Sequence, residues 1–340
     1  MLKGIKHMKT EKKLKWGIMG AGIIARKMAD ALELSSLNQL YAIASKSPER
    51  ARSFANEFKI EHSLSYEEIV STKEIDVIYV ATTHNFHFEN AKLALEHGKH
   101  VLVEKAFTVN AKEARELAKI AQEANLFLME AIWVRFLPSL IKLKEIIHNK
   151  EIGEPKVFII SFGVFVYPQY EQRLKDPALA GGTTLDLGIY PISFACYILD
   201  ALPVEIKSMT NFSDLGVDEI SHYMFRFPSG CIANISSSYN LKMNNLATIY
   251  GDQGFIEFPD FQTGERFTVS KHNGTNDIQE AIEVVEENHT NGFIYQADEV
   301  AKCIRKGKLE SKIIPLCETI GIMEVMDTMR VQWGFKYPFE

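Results

Sequence analysis

A glycine-rich turn near the start of the chain has the residue types and spacing that bind a pyrophosphate. Gly20, Gly22 and Ala25 follow an apolar run, and an amphipathic stretch follows them. Gly20 permits a tight turn, Gly22 lets a phosphate approach the backbone, and Ala25 lets a helix pack on a strand. The unpaired N–H groups of the helix start, at Ile23 and Ile24, favour an anion. The alternative is a chance glycine turn, but the order strand, turn, helix predicts a dinucleotide site.

The residues after the second predicted strand favour NADP over NAD. An NAD-selective enzyme usually carries an acid there, which binds the ribose 2′-hydroxyl. This chain instead has Ser45 and Lys46, with Arg50 one turn into the next helix. Ser45 could bond to a 2′-phosphate, and the two cations could neutralise it. The alternative is a solvated loop that caps the helix.

Lys105 is a further candidate for chemistry. It follows the predicted strand 100–104, and doubly wound sheets bind ligands at the carboxyl ends of their strands. An ammonium there could orient a substrate hydroxyl and lower the pKa of a neighbouring acid. The alternative is a lysine that reaches solvent over the strand end. Other candidate cofactor residues lie at the same edge: Thr82, Thr83, His84, Asn85, His87 and Glu104. The two histidines of this set, His84 and His87, are more typical of a loop and of a helix start than of catalysis.

Strands and helices that alternate up to residue 132 would position these residues. Continuous apolar strands that alternate with helices are typical of a parallel sheet covered on both faces. The predicted strands are 14–19, 40–44, 76–81, 100–104 and 126–130. The predicted helices are 48–58, 66–71, 87–97 and 110–125, together with one after the glycine turn. We therefore expect a flexible tail at residues 1–13 and a Rossmann domain, a doubly wound parallel sheet, at residues 14–132.

After a helix at 138–149, short strand-like runs and turn residues replace this alternation. The runs are 156–166, 205–211, 220–227, 231–238, 247–250, 255–258 and 266–271, and helices near 293–306 and 315–333 close the chain. Short turns favour antiparallel neighbours. We expect an α+β domain at residues 133–340 with a large, mostly antiparallel, open-faced sheet. Ile235, Ile249 and Phe255 are assigned to its open face, which predicts a homodimer through that face.

Composition excludes several other classes of protein. The 340 residues carry a net charge of −6, and no basic cluster follows the start of the fold, which argues against a nucleic-acid partner. The longest apolar stretch, 157–167, is too short to span a membrane, and we identify no signal peptide. The four cysteines lack C-x-x-C spacing, which favours reduced thiols in a cytoplasmic protein and gives no indication of a metal site.

Three segments together resemble the Gfo/Idh/MocA oxidoreductase family. They are the glycine motif, the strand end Glu104–Lys105 and the segment 181–190, GGTTLDLGIY. The resemblance covers nearly the whole chain. The segments 129–136 and 332–335 are most similar to the branch that contains dimeric dihydrodiol dehydrogenase and NADP-dependent D-xylose dehydrogenase. Ala106 stands where many relatives have proline, so the backbone there would be less rigid.

The resemblance implies that Tyr190 transfers the proton. A tyrosine has a pKa of about 10, so it needs a nearby cation such as Lys105 to act as a base near neutral pH. Asp186, four residues earlier, would share a helix face with Tyr190 and orient the substrate or Lys105. The alternatives are a helix cap for Asp186 and an ordinary buried aromatic for Tyr190.

Residues near the domain junction are candidates for a substrate pocket: Trp133, Arg135, Phe136 and Phe162. The three aromatics could equally form interdomain core, and the arginine could pair with a carboxylate. A predicted loop before the segment 181–190 could cover the site, and it contains Tyr167, Tyr170 and Arg173.

The resemblance implies an NADP-dependent oxidoreductase. Such an enzyme would move hydride between nicotinamide and a secondary alcohol or hemiacetal carbon of a sugar or cyclic diol. No metal is expected, because lysine and tyrosine supply the polarisation. Three alternatives stay open: a non-catalytic regulator that senses NADP(H) on the same fold, an NAD-dependent sugar lyase or glycosidase, and a reductase of keto-sugars that uses the same residues in reverse.

Overall fold

The first half of the molecule is a six-stranded parallel sheet. The computed structural model describes residues 12–166, 168–272, 274, 276–288 and 291–340, so most of the predicted tail lies outside the described residues. The strands are β1 (Leu14–Met19), β2 (Asn38–Ala44), β3 (His62–Leu64), β4 (Val77–Val80), β5 (His100–Glu104) and β6 (Leu128–Ala131). The helices are α1 (Ile23–Leu34), α2 (Pro48–Glu57), α3 (Tyr66–Ser71), α4 (His87–Glu96) and α5 (Ala111–Glu123). The strand order is β3-β2-β1-β4-β5-β6, which confirms the Rossmann prediction.

The sequence sets the boundaries of these elements by simple means. Strand β4 is buried along its whole length, as expected for a central parallel strand. The Ser47 and Asn110 side chains accept N–H groups in the first turns of α2 and α5, and Ser65 forms a capping box with Glu68 at α3. The strand order reverses between β1 and β4, so their carboxyl ends open side by side.

The second half is built on an eight-stranded sheet. Its strands are β7 (Pro155–Gly163), β8 (Glu205–Phe212), β9 (Asp218–Arg226), β10 (Ile232–Ser238), β11 (Leu246–Gly251), β12 (Gly254–Pro259), β13 (Arg266–Lys271) and β14 (Glu280–Val285). Their order is β14-β13-β12-β11-β7-β10-β9-β8. Strands β7 and β10 pair in parallel and the other neighbours antiparallel, which confirms the mostly antiparallel prediction.

The two faces of this sheet differ, and the predicted open face was assigned wrongly. Ile249 lies opposite Phe158, which packs against a ring of the covering helix α8 (Ile189–Leu199). Ile235 and Ile249 are both buried on this helix-covered face. Because strand side chains alternate between faces, a shift of one residue reverses the assignment. Phe255 does lie on the opposite face and is half-buried beside Tyr250.

The helices of the second half connect it to the first sheet. They are α6 (Pro138–His148), α7 (Pro168–Lys175), α8, α9 (Phe293–Arg305) and α10 (Leu316–Trp333). Helix α9 packs against α1, and α10 packs against α5 and β8. The division predicted at residue 132 thus separates the two sheets but not all of the helices that cover them.

The predicted helices leave out residues 189–199, where α8 lies, and the sequence did not predict α7, β3 or β14. The segment of α7 was predicted as a loop, and its residues are mostly polar. Among residues 172–175, whose side chains the structure describes, Leu174 is buried. Tyr167 lies outside the described residues, as does the side chain of Tyr170. Strand β3 has three residues, and β14 is an exposed edge strand, so neither shows a strong hydrophobic pattern.

Candidate active site

The glycine turn between β1 and α1 has the shape of an anion cradle. Gly20 has a φ of 106°, and a Cβ there would stand 2.5 Å from the carbonyl oxygen of Ala81. Gly22 is the N-cap of α1, makes no side-chain cap bond, and has open space where a Cβ would stand. The N–H groups at the start of α1 therefore lie behind open space, as a bound pyrophosphate requires.

The residues that follow Gly22 differ in how deeply they are buried. Ala25 is fully buried against the sheet, as predicted for the small third position of the motif. Ile23 and Ile24 are exposed at the helix start. The first turn of α1 contains no acidic side chain, so no carboxylate there would repel a phosphate.

Cations surround the cradle at the carboxyl end of β2. Lys46 is exposed, and its ammonium lies 3.5 Å above the ring of Phe86. The Arg50 guanidinium donates to the carbonyl of Ala21 at 3.3 Å, inside the glycine turn. The Ser45 hydroxyl accepts a backbone N–H two residues on. These three side chains fit a dinucleotide that carries a further phosphate on its ribose.

The two histidines that follow β4, His84 and His87, form hydrogen bonds to backbone carbonyl groups. The Nδ1 of His87 lies 2.8 Å from the carbonyl of Ala106, and burial lowers the pKa of His87 to about 4. The Nδ1 of His84 lies 3.1 Å from the carbonyl of Ala180, and burial lowers the pKa of His84 to about 3. Both rings are thus neutral near pH 7 and hold the segments on which Lys105 and Asp186 lie.

The remaining loop residues also make local contacts. Asn85 donates to the carbonyl of Ala178 at 3.0 Å and accepts from the Thr83 hydroxyl at 2.7 Å. The Thr82 hydroxyl accepts from Asn90 at 3.2 Å. The loop therefore connects the end of β4 to the segment that leads into residues 181–190.

A buried ion cluster stands at the end of β5. Lys105 Nζ donates to the Asp186 carbonyl at 2.6 Å and to its Oδ1 at 3.2 Å, and both side chains are nine-tenths buried. Arg173 Nη2 lies 2.9 Å from the same Oδ1. Burial opposes ionisation of Asp186, but Arg173 and Lys105 hold its pKa well below the usual range. Burial also lowers the pKa of Lys105, and the surrounding anions more than offset that effect.

Tyr190 lies against this cluster. The Lys105 ammonium is 5.1 Å from the centre of its ring, and the Trp133 indole donates to its phenolic oxygen at 3.3 Å. Phe162 packs edge-on at 5.6 Å between ring centres. Burial raises the pKa of Tyr190, and Lys105 and the indole N–H act against that rise. The structure thus brings together Lys105, Asp186 and Tyr190, which are far apart in the chain.

A π-helical turn, Thr184–Gly188, delivers Asp186 and Tyr190 to this place. Asp218 on β9 fixes its start, since its carboxylate accepts from the Thr184 N–H at 2.7 Å and from the hydroxyl at 2.6 Å. The Tyr337 hydroxyl donates to the carbonyl of Gly181 at 2.7 Å. Hydrogen bonds with Asp218 and Tyr337 thus fix the backbone of the segment. The Asp186 side chain points to Lys105 and does not cap the helix.

Two buried glutamates, Glu104 next to Lys105 and Glu130 on the neighbouring strand β6, were not predicted as a pair. Glu104 accepts from the Tyr79 hydroxyl, and burial raises the pKa of Glu104 to about 7. Glu130 accepts the Phe107 N–H and the Thr319 hydroxyl, both at 3.1 Å, and burial raises its pKa to about 7. A tyrosine in β4 and an acid in β6, both inside otherwise apolar strands, were the available signals.

The predicted pocket residues separate into two groups. Trp133 is half-buried and stacks on Phe293 at 5.3 Å, so it forms a wall beside Tyr190 together with Phe162. Phe136 is buried. Arg135 is 1% exposed, and its guanidinium donates to Ser193 at 2.7 Å and to Glu318 at 2.7 Å. Its guanidinium is therefore paired with a carboxylate inside the protein, the second of the two roles that the sequence left open.

Within the described ranges, the His, Cys, Asp and Glu residues form no group of three or more that could hold a metal ion. In that same part of the chain, every helix is too short or too polar to cross a membrane.

Comparison with known proteins places the chain in the GFO/IDH/MocA oxidoreductase family. Residues 14–132 match the family model described as an oxidoreductase family with an NAD-binding Rossmann fold. Residues 140–257 match the GFO/IDH/MocA C-terminal domain. The chain belongs to this family, and the resemblance seen in its sequence is confirmed.

Individual relatives align over nearly the whole chain. The chain is 35% identical to D-xylose 1-dehydrogenase (NADP(+)) of Hypocrea jecorina, over 96% of this chain and 93% of that protein. It is 33% identical to trans-1,2-dihydrobenzene-1,2-diol dehydrogenase of Mus musculus, over 96% and 98%. The fold matches that of KijD10, a 3-ketoreductase from Actinomadura kijaniata in complex with NADP and TDP-benzene. The TM-score is 0.85 and the identity 24%, over 94% and 98% of the two chains.

Proposed function

We propose that the protein is an NADP-dependent dehydrogenase or reductase. It acts on a secondary alcohol or hemiacetal carbon of a sugar or cyclic diol. The observation that carries this proposal is the Lys105 ammonium beside the Tyr190 phenol, at the edge of the sheet where the glycine cradle opens. The xylose and dihydrobenzenediol dehydrogenases named above support the substrate class.

Tyr190 is assigned the proton transfer. In the direction of oxidation it takes the hydroxyl proton while the carbinol carbon loses hydride, which leaves a carbonyl group. Lys105 stabilises the phenolate, and Asp186 holds Lys105 in place. The bound nicotinamide supplies the hydride acceptor. In reduction, Tyr190 returns the proton to the substrate oxygen.

NADP is favoured over NAD by the cations near the end of β2. Ser45, Lys46 and Arg50 would bind the 2′-phosphate, and the N–H groups after Gly22 would bind the pyrophosphate. The edge residues Thr82, Thr83 and Glu104 would border the rest of the dinucleotide. Asn85, His84 and His87 would act on it only through the backbone that they hold.

The aromatic surface beside Tyr190 would bind the substrate. Trp133 and Phe162 both touch Tyr190 and would exclude water from the reacting carbon. Phe136, predicted for the same pocket, is buried in the core. A flat, weakly polar face suits the ring of a sugar or cyclic diol.

The outer face of the second sheet supports a homodimer. It presents Met209, Met224 and Ile159, which are 77%, 52% and 50% exposed, in place of the residues first assigned to it. Exposed apolar side chains on a mixed sheet face of this kind suit a second copy of the chain. Sedimentation of the wild type and of Met224→Asp tests this, since a monomer in both would refute the interface. Free cysteines, including the exposed Cys317, favour a reducing compartment such as the cytoplasm.

A substrate panel tests the activity. Purified protein is incubated with NADP⁺ or NAD⁺ and D-xylose, other aldoses or trans-dihydrodiols, and reduced nicotinamide is followed by its near-ultraviolet absorbance. Substrate-dependent formation of NADPH, lost in Tyr190→Phe, is expected. A regulator would bind the cofactor without turnover, whereas a lyase or glycosidase would release product with no net change in reduced cofactor. The reverse assay with keto-sugars and NADPH establishes the preferred direction.

A further inference from the structure

Two cations share one oxygen of Asp186. Lys105 Nζ lies 3.2 Å and Arg173 Nη2 lies 2.9 Å from its Oδ1. Arg173 belongs to α7, outside the segments that carry the family resemblance, and its side chain is 37% exposed. The sequence assigned it only to a covering loop.

The charges around Tyr190 show what Arg173 contributes. Several ionisable side chains face Tyr190 or its ion cluster, and they come from different parts of the chain: Tyr79, His84, His87, Glu104, Lys105, Arg173 and Asp186. Lys105 and Asp186 alone form a neutral pair, whose field at the phenol largely cancels. A guanidinium is always charged in proteins, so Arg173 brings the three-residue cluster to a net charge of one positive unit.

We propose, building on the function proposed above, that Arg173 is a positioning residue for proton transfer. By offsetting the charge of Asp186, it lets the Lys105 ammonium stabilise the Tyr190 phenolate. It also holds the Asp186 carboxylate in the place from which that carboxylate orients Lys105.

The direction of the pKa shifts agrees with this role. Burial raises the pKa of Tyr190, Lys105 lowers it, and Asp186 raises it further. Arg173 is the first of the charges that hold the pKa of Asp186 low. Without Arg173, the anion at Asp186 would act on Tyr190 with only Lys105 to balance it.

The test compares pH profiles of kcat/KM for oxidation in the full-length enzyme. Arg173→Gln keeps hydrogen-bonding capacity but removes the charge, and Arg173→Lys keeps the charge. We expect the midpoint of the rising limb to move up by about one pH unit in Arg173→Gln, the low end of the range for a nearby charge. Arg173→Lys should restore the wild-type midpoint. Arg115→Gln, an exposed arginine paired with Glu324, is the matched control and should not move it.

The possible results separate the two proposals. A uniform loss of kcat at every pH, with the midpoint unchanged in Arg173→Gln, would assign Arg173 to structure alone and overturn the inference. An equal shift in Arg173→Lys would also overturn it, since the charge would not be the cause. Full turnover by Tyr190→Phe would instead overturn the proposed function. Circular dichroism tests whether the variants are folded, and their affinity for NADP⁺ tests whether they bind the cofactor.

Discussion

The cofactor cradle and the proton-transfer cluster are built in opposite ways. The cradle lies in one stretch of chain from Gly20 to Arg50, uses backbone N–H groups, and surrounds them with exposed cations. The cluster takes its residues from distant elements, and the charges of Lys105 and Asp186 within it are mostly buried. Its members are Tyr79, Lys105, Trp133, Arg173, Asp186 and Tyr190. The first is a local motif, whereas the second exists only when the two sheets are assembled.

This difference has an electrostatic consequence. Exposed charges around the cradle are screened by water and salt, so each contributes modestly until a phosphate binds. The Lys105 and Asp186 side chains are 11% and 12% exposed, so their charges act strongly on their neighbours. Substitutions in the cradle should therefore change binding, and substitutions in the cluster should change the rate and its pH dependence.

The largest expected effect separates the two regions most clearly. Tyr190→Phe removes the proton carrier but keeps the ring that packs on Phe162. We expect kcat to fall by about 10²-fold or more, because general acid–base catalysis contributes about that much. Single-turnover kinetics and fluorescence titration with NADPH measure this, and the affinity for NADPH should stay within twofold, about the margin of a small local change. Near-wild-type turnover would remove Tyr190 from the mechanism.

Reversing a charge in the cradle should give the converse result. Lys46→Glu places an anion where the 2′-phosphate is expected, so the KM for NADP⁺ should rise by about 10- to 100-fold, the value of a lost charge-assisted bond. The KM for NAD⁺ and the pH profile should not change. Steady-state kinetics with both cofactors test this, with exposed Lys119 changed to Glu as control. Equal losses for both cofactors would place the 2′-phosphate elsewhere.

The two glycines of the turn should fail differently. A Cβ at Gly22 enters open space, so Gly22→Ala should keep its melting temperature and bind dinucleotide about tenfold more weakly. At Gly20 the left-handed φ and the Ala81 carbonyl oppose a side chain, so Gly20→Ala should lose about 1–3 kcal/mol of stability. Thermal melts with and without NADPH distinguish them. A stable, weakly binding Gly20→Ala would contradict this division.

The sequence predicted local features well and long-range contacts poorly. Strands β5 and β13 begin and end where predicted, because a continuous apolar run or a turn residue marks each boundary. The faces of the second sheet were reversed at Ile235 and Ile249, since a period-two pattern does not say which face the helices cover.

The site shows the same limit. Gly20, Gly22 and Ala25 could be assigned from spacing alone, whereas Tyr190 was linked to Lys105 only through the family resemblance. The Arg173 contact with Asp186 and the enclosure of Arg135 by Ser193 and Glu318 depend on tertiary packing. A single sequence contains no pattern for such contacts, because their partners lie on elements whose relative placement is not yet known.

The smallest expected effect concerns Glu130, which accepts the backbone N–H of Phe107, two residues after Lys105. Burial raises the pKa of Glu130 to about 7, against about 4.3 in an unfolded chain. At pH values between these two pKa values, the folded state binds more protons than the unfolded state. The free energy of unfolding therefore falls as pH rises, and Glu130 contributes at most about 1.4 kcal/mol per pH unit to that fall. Glu130→Gln should flatten that fall while still accepting the Phe107 N–H. Urea unfolding at several pH values between the two pKa values, with exposed Glu123→Gln as control, measures it. A slope equal to that of the wild type would show that Glu130 is ionised in the folded state over this pH range and would contradict the raised pKa.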